Sequence, residues 1–154
     1  MLFVIMRISL AHIGGRTAAR DSYEALVQEY LERSSAFAPS SAQAFRSELA
    51  LWERLERQRG RVPAVVVILD SRGRQMTSEA FAAWLGSRRD EGVQQVVFAI
   101  GPADGWSGAA RSRAQLVLSL GSMTMAHAMA RLVMAEQIYR ALTILAGHPY
   151  HSGH

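Results

Sequence analysis

Three histidines and a tyrosine close the chain in GHPYHSGH, as His148, Tyr150, His151 and His154. Imidazole and phenol groups move protons, bind metals and stack on bases, so this stretch is the first candidate for chemistry. The spacing H-x-x-H-x-x-H suits a metal. A terminal segment offers no preformed site, however, and no Asp or Glu lies nearby in sequence to support such ligands, so no metal is expected there. Pro149 fixes its own φ and restricts His148, which makes this end stiff and placed, a candidate active-site flap. Upstream, Glu136 and Arg140 stand i,i+4 and are expected to pair, because an unpaired carboxylate among apolar neighbours is costly. His127 and Arg131 share the same spacing, and His127 reads as a core or capping residue.

Composition removes other chemistries. The 154 residues include no cysteine, which excludes disulfides, thiolate zinc sites and cysteine nucleophiles and fits a reducing cytoplasm. All 17 basic residues are arginine, so every basic contact is a planar fork suited to phosphate or carboxylate. The net charge of +4 permits a nucleic-acid partner without establishing one. Hydrophobic residues at 49% and charged residues at 19% are globular values, and residues 1–154 read as one domain. The apolar start, MLFVIMRISLAHIGG, is too short to span a bilayer and is read as a strand over 2–10. No GxxxxGK[ST], GxGxxG or Gly-x-Ser-x-Gly motif occurs.

The elements that must position these groups follow from periodicity. Residues 21–34 read as a helix, with Asp21 as cap and Glu24 three positions on, as in a capping box. Residues 35–42 read as a loop and 42–57 as a second helix. From residue 64 the order becomes strand, helix, strand, helix, strand, helix: AVVVIL (64–69), a helix from Ser78 to Arg89, QVVFAI (95–100), a short helix over 107–113, a strand over 115–118 and a long helix over 124–145. This alternation predicts an α/β fold, a mostly parallel sheet with helices on both faces. The last helix is apolar on two sides. Met125, Met129, Leu132, Glu136 and Tyr139 share one; His127, Met134, Ile138 and Leu142 share the other. One side is expected to cover the sheet and the other to meet a second subunit.

In an open parallel sheet, ligands sit beyond the carboxyl ends of the strands. Three such ends run into loops rich in Gly, Ser or Asp: Leu69-Asp70, Ile100-Gly101 and Leu118-Ser119. Together they predict a site, without naming its ligand.

The segment LVLSLGSMTMAHAMARLVMAEQIYRALTILAGHPYH resembles the C-terminal signature of the ribosomal RNA large subunit methyltransferase H family, part of the SPOUT superfamily of knotted methyltransferases. VVVILDSRGRQMTSEAFAAWL and VVFAIGPADGWS are similar to its two upstream blocks, and RISLAHIGG and EALVQEYLERS to its opening. The resemblance implies a homodimer with a C-terminal trefoil knot. It implies S-adenosyl-L-methionine bound by Leu69, Gly101 and the stretch Leu120, Gly121, Ser122, Met123, Thr124 and Met125. It implies transfer of a methyl group to N3 of a pseudouridine in 23S ribosomal RNA of the assembled ribosome, in the cytoplasm and with no membrane or metal involved. Tyr150, His151 and Arg140 are then the expected catalytic groups, for stacking or hydrogen bonding to the base, proton acceptance and charge stabilisation.

The chain departs from the family at several points. Pro102 follows Gly101 where a second glycine is usual, Gly121 replaces a serine, and Ser152 follows P-Y-H where Arg or Lys is common. The segment between the first helix and AVVVIL is short, so the second strand is expected to be reduced or missing. Two rivals stay open: a SPOUT methyltransferase with another RNA substrate and, given Pro102 and Ser152, a cofactor- or RNA-binding SPOUT protein with impaired catalysis.

Overall fold

The computed structural model describes residues 5–15, 21–60 and 62–153. Five strands, β1 (Arg7–Ile13), β2 (Ser40–Phe45), β3 (Val65–Arg74), β4 (Gln95–Ile100) and β5 (Leu116–Leu118), form one sheet in the order β2-β1-β4-β3-β5. Every neighbouring pair is parallel. Five helices cover it: α1 (Ser22–Ser34), α2 (Glu48–Arg57), α3 (Ser78–Asp90), α4 (Gly108–Arg113) and α5 (His127–Ala146). A single 3-10 turn, His151–Gly153, ends the described chain. No helix among the described residues is long and apolar enough to cross a membrane.

The two faces of the sheet bury separate cores, as the side-chain alternation of strands requires. Ile8, Leu10, Val67, Val96 and Phe98 pack with α1, α3 and α5. Ala11, Ile13, Ile68, Val97 and Ala99 pack with α2 and with Trp106 and Ala110. Helices therefore lie on both faces.

Several expectations need correction. The second strand is present: residues 40–45 pair with β1 from Ile8↔Ser40 to Ile13↔Phe45, where a loop and a helix start were expected. The helix begins only at Glu48, capped by Ser47, whose side chain accepts from Ala50 N. A free β1 edge and the burial of Phe45 override the weak helical preference of Ala-Gln-Ala. The first strand is shifted to 7–13; the part of the expected strand before residue 5 lies outside the described residues. Asp21 caps α1 by accepting from Tyr23 N and Glu24 N. Glu24 does not return the bond, since its carboxylate engages Arg131 and Gln28 instead.

α5 assigns its two sides. Met134 and Ile138 are fully buried against the sheet, with Leu142 beside them. Met129, 37% exposed, with half-buried Leu132 and Val133, forms the open side. Tyr139 belongs to neither: it is buried among the rings of Tyr30, Phe37 and Tyr150. The helix stops at Gly147, whose φ of 71° lets His148 N reach back to Thr143 O at 2.9 Å.

The expected turn at 70–73 is an outward bulge within β3. Leu69 and Arg74 both pair with Leu118, so the residues between them loop out. Asp70 closes this bulge by accepting from Arg72 N at 2.9 Å and from Arg111 Nη1 at 3.0 Å. Gly73 then runs so close to β5 that a Cβ there would stand 2.6 Å from the carbonyl oxygen of Val117. Backbone cannot move aside as a side chain can, so Gly73→Ala is expected to lower stability by about 1–3 kcal/mol. Gly108→Ala, with nothing within 4 Å of the new methyl, is expected to be neutral or slightly stabilising. Urea denaturation of the two variants checks both, and equal midpoints would refute the close approach.

Candidate active site

All five strands point their carboxyl ends the same way, and three of the loops there enclose a cavity of about 530 Å³. The loop after β3 brings Leu69, Asp70 and Arg72; the loop after β4 brings Gly101, Pro102 and Trp106; the loop before α5 brings Leu120, Gly121, Met123, Thr124 and Met125. Of the residues expected to hold a cofactor, Leu69, Gly101, Leu120, Gly121, Met123, Thr124 and Met125 line this cavity, and Ser122 does not.

Each loop is shaped by its own residues. Trp106 is buried and donates its indole Nε1–H to Leu69 O at 3.1 Å, tying the β4 loop to the end of β3. The ring lies where a side chain on residue 101 would stand: a Cβ on Gly101 would meet Trp106 Nε1 at 2.6 Å. Gly101 is thus needed first for Trp106, a reason that sequence reasoning missed. Pro102 begins a tight turn in which Gly105 N bonds Pro102 O at 2.9 Å, and its fixed φ preorganises that turn. Ser119, 5% exposed, ties the third loop: its Oγ accepts from Gly121 N at 3.1 Å and lies 3.1 Å from Ser71 O. Gly121 has a φ of 139°, and no atom lies within 4 Å of where a Cβ would stand, so its backbone is open to a ligand.

The walls are mainly apolar side chains and loop backbone. His127 lines the cavity too, and its buried Nε2 has no partner among the described residues. Asp70, Ser71, Arg72, Asp104 and Thr124 add polar groups, and a cavity of this size fits a nucleoside-sized ligand.

Arg140, Tyr150 and His151 also come together, but elsewhere. Glu136 is the hub. Its Oε1 accepts from Arg140 Nη2 at 2.5 Å, Arg140 Nε at 3.1 Å and the Tyr150 hydroxyl at 3.0 Å. Its Oε2 accepts from Gln137 at 2.9 Å, and Gln137 in turn accepts from Ser78 Oγ at 2.8 Å. The Arg140 guanidinium lies over the Tyr150 ring, 5.0 Å from its centroid. Arginine only donates, so the 3.0 Å contact of Arg140 Nη1 with His151 Nδ1 makes Nδ1 the acceptor. Nε2 then carries the hydrogen and faces Glu79 Oε1 at 2.7 Å. This bond holds the Glu79 carboxyl below its ordinary pKa. Burial, then hydrogen bonding with Tyr30 and Glu136, pushes the Tyr150 phenol well above its ordinary value. Tyr150 is therefore a donor and not a base, and both nitrogens of His151 are occupied. The one ring lone pair of His151 is taken by Arg140 in this arrangement.

None of these three residues lines the large cavity. From Ala130, at the cavity wall, α5 rises about 15 Å to Arg140. The tail folds back along α5 toward the start of α3, not over the cavity of its own chain. His148 Nδ1 accepts from Tyr150 N, and no group of three or more His, Asp or Glu that could hold a metal occurs among the described residues; His154 lies outside them. Glu79, Ser78 and Gln137 were not foreseen, because the contact of Glu79 with His151 and the bond from Ser78 to Gln137 depend on how α3 packs on α5.

The family described as "Predicted SPOUT methyltransferase" matches residues 6–151. The chain is 44% identical, over 97% of its length and 100% of the relative, to the ribosomal RNA large subunit methyltransferase H of Koribacter versatilis (strain Ellin345). It is 57% identical over 88 residues to the protein of the same name from Brucella ovis, a match that spans 57% of this chain and 52% of that one. Among solved structures, the SpoU methyltransferase AviRb from Streptomyces viridochromogenes, in complex with the cofactor AdoMet, is similar in fold, with a TM-score of 0.51 at 12% identity over 96% of this chain and 60% of that one.

The Glu136 hub makes a spectroscopic prediction. Glu136→Gln removes the charge that helps hold the Tyr150 proton, so the phenol should ionise at lower pH than in the parent. It should still ionise above a free tyrosine, because burial, the larger cause, remains. Phenolate absorbance during a pH titration, read as the difference from the matching Tyr150→Phe chain, measures it; an unchanged titration would separate Tyr150 from Glu136.

Proposed function

This chain belongs to the SPOUT methyltransferase family, and from that premise we propose that it methylates large-subunit ribosomal RNA, at N3 of a pseudouridine, in the assembled ribosome of the cytoplasm. The observation that carries the reading is the single cavity built by Leu69, Gly101 and the 120–125 loop at the carboxyl ends of β3, β4 and β5. S-adenosyl-L-methionine, held there, supplies an electrophilic methyl group on a sulfonium. Loop backbone at Gly121, the apolar side chains of Leu69, Leu120 and Met125, and the Nε2 of His127 are the groups that would hold it. The bulge at 70–73 and the Ser119 bonds to Ser71 and Gly121 are the features that support a trefoil knot here.

The chain's own groups act on the base. The uridine-like ring must lose its N3 proton to solvent water before N3 can attack, since Tyr150 is protonated and both nitrogens of His151 are engaged. The Arg140 guanidinium, and the Tyr150 phenol once its hydrogen turns from Glu136 to the base, favour the deprotonated ring by bonding its carbonyl oxygens, where the negative charge collects. They lie too far along α5 to serve the cavity of their own chain. A homodimer through the open side of α5, around Met129, Leu132 and Val133, supplies them from the second copy.

Three outcomes are expected. A chain ending at Gly147, or one carrying Tyr150→Ala with His151→Ala, should fold and bind S-adenosyl-L-methionine but methylate ribosomes about 100-fold less. Mass spectrometry of the ribosomal RNA reads the product, and full methylation by the shortened chain would remove the tail from the reaction. Met129→Glu with Val133→Glu should yield folded, inactive monomers in analytical ultracentrifugation; an intact dimer would move the interface elsewhere. Mixing tail-less chains with chains whose cavity is blocked by Gly121→Trp should restore part of the activity, and no restoration would mean that each tail serves its own chain.

A further inference from the structure

Near the carboxyl end of β1, three polar atoms are buried without a hydrogen-bond partner among the described residues: His12 Nδ1, His127 Nε2 and Arg131 Nε. An orphaned buried polar group costs about 1–3 kcal/mol, so three close together call for a cause. His12 and Arg131 are 5% and 3% exposed. Both line a second cavity, of about 390 Å³, whose other polar walls are Glu24, Gln28, Gln43 and Arg54.

Distant parts of the chain build it. His12 is the last residue of β1 on the α5 face, and it pairs across the ladder with Ala44 beside Gln43. α1 supplies Glu24 and Gln28, and α5 supplies Arg131. Glu24 accepts from Arg131 Nη1 at 2.6 Å, which neutralises the buried guanidinium and leaves Nε unused. His12 donates its Nε2 hydrogen to Gly15 O at 3.0 Å, which leaves Nδ1 as a lone pair. Burial holds the His12 pKa below its ordinary value, with the charge of Arg131 acting the same way, so Nδ1 stays an acceptor at neutral pH. Arg54 is exposed at the rim, and its guanidinium has no hydrogen bond or ion pair among the described residues.

The site thus offers one unused acceptor and one unused donor, with two side-chain amides and a free guanidinium. A bare anion would satisfy the donor and face the His12 lone pair. A cation would satisfy the lone pair and face two guanidiniums. The edge of a nucleobase carries a donor and an acceptor side by side, and the phosphate attached to it suits the fork of Arg54. This cavity also adjoins the large one: His127, in the wall of the large cavity, meets the His12 ring edge-on at 5.7 Å between centroids.

We infer that the second cavity is a subsite for one unpaired nucleotide of the RNA, next to the nucleotide that is methylated, with its base edge bonded by His12 and Arg131 and its phosphate held by Arg54. This assignment rests on the RNA methyltransferase reading above. It gives the enzyme a way to read sequence or splayed geometry beside its target without touching the reacting atoms.

The test uses the full chain with carbon-13-labelled histidine, saturated with S-adenosylhomocysteine so that the large cavity is filled. The probes are 5′-UMP, 5′-CMP, 5′-AMP and 5′-GMP, with inorganic phosphate as control. At least one nucleotide should move the His12 ring resonances saturably while phosphate does not. Arg54→Ala and Gln43→Ala should each weaken that binding about tenfold. The same variants should raise KM for ribosomes about tenfold at unchanged kcat and unchanged affinity for S-adenosyl-L-methionine, and Arg54→Ala should lower the salt slope of RNA binding by about one. His12 resonances indifferent to all four nucleotides, an equal response to phosphate, or variants that bind as the parent does would overturn the subsite. A parent chain that binds a nucleotide at His12 but transfers no methyl group to ribosomes would keep the subsite and remove the methyltransferase reading.

Discussion

Five strands that all run in one direction leave their carboxyl ends along one border of the sheet, and the cavity between the β3, β4 and β5 loops hangs on that border. Parallel strands need long crossovers, so the helices are pushed onto the faces and the short loops gather at the ends. Once β3, β4 and β5 end side by side, their loops have to pack on one another. Trp106 bonded to Leu69 O and Ser119 set between Ser71 and Gly121 are the contacts that make this packing specific. The glycines at 73 and 101 are where backbone or an indole comes too close for a side chain.

α5 links that border to the second group of polar residues. Its first turns carry His127 and Ala130 at the cavity wall, and its second half carries Glu136 and Arg140. The helix is a rigid spacer between them, braced by buried Met134 and Ile138 on the sheet side. Glu136 is only partly exposed, and it is tolerable there because arginine, tyrosine and glutamine donors surround it. Removing any one donor leaves the others in place, so the tail keeps its position through several modest bonds instead of one strong one.

The parts of this arrangement that show in sequence are those set by local pattern. AVVVIL and QVVFAI read as buried strands because continuous β-branched runs need cover on both faces. The loops after them read as a site because Gly and Asp cluster there. The pairing of Glu136 with Arg140 follows from helical spacing. What did not show depends on partners far away in sequence. SSAQAF is a strand only because β1 offers it an edge. Glu24 leaves its own helix cap for Arg131, 107 residues on. Met134 and Ile138 could not be told from Met129 and Leu132 as core or open side, since both stripes are apolar and only the sheet decides. The tail was legible in residue type and not in destination, because the turn at Gly147 sends it back toward Glu79.

The central pairing carries a consequence for biosynthesis. β1 is flanked by β2, which follows it closely, and by β4, whose first partner for Arg7 is Gln95. A ribosome adding about 5–20 residues per second exposes β1 for roughly 5–20 s before β4 emerges. During that interval the nascent chain can hold a two-stranded ribbon covered by α1 and α2, while the edge of β1 that β4 will take keeps its backbone groups unpaired. β5 and α5 come later still, so the border loops assemble only after them. Nascent-chain chaperones therefore have their main window on this protein while residues 46–94 are being made, and slowing synthesis there prolongs the interval in which aggregation competes with folding.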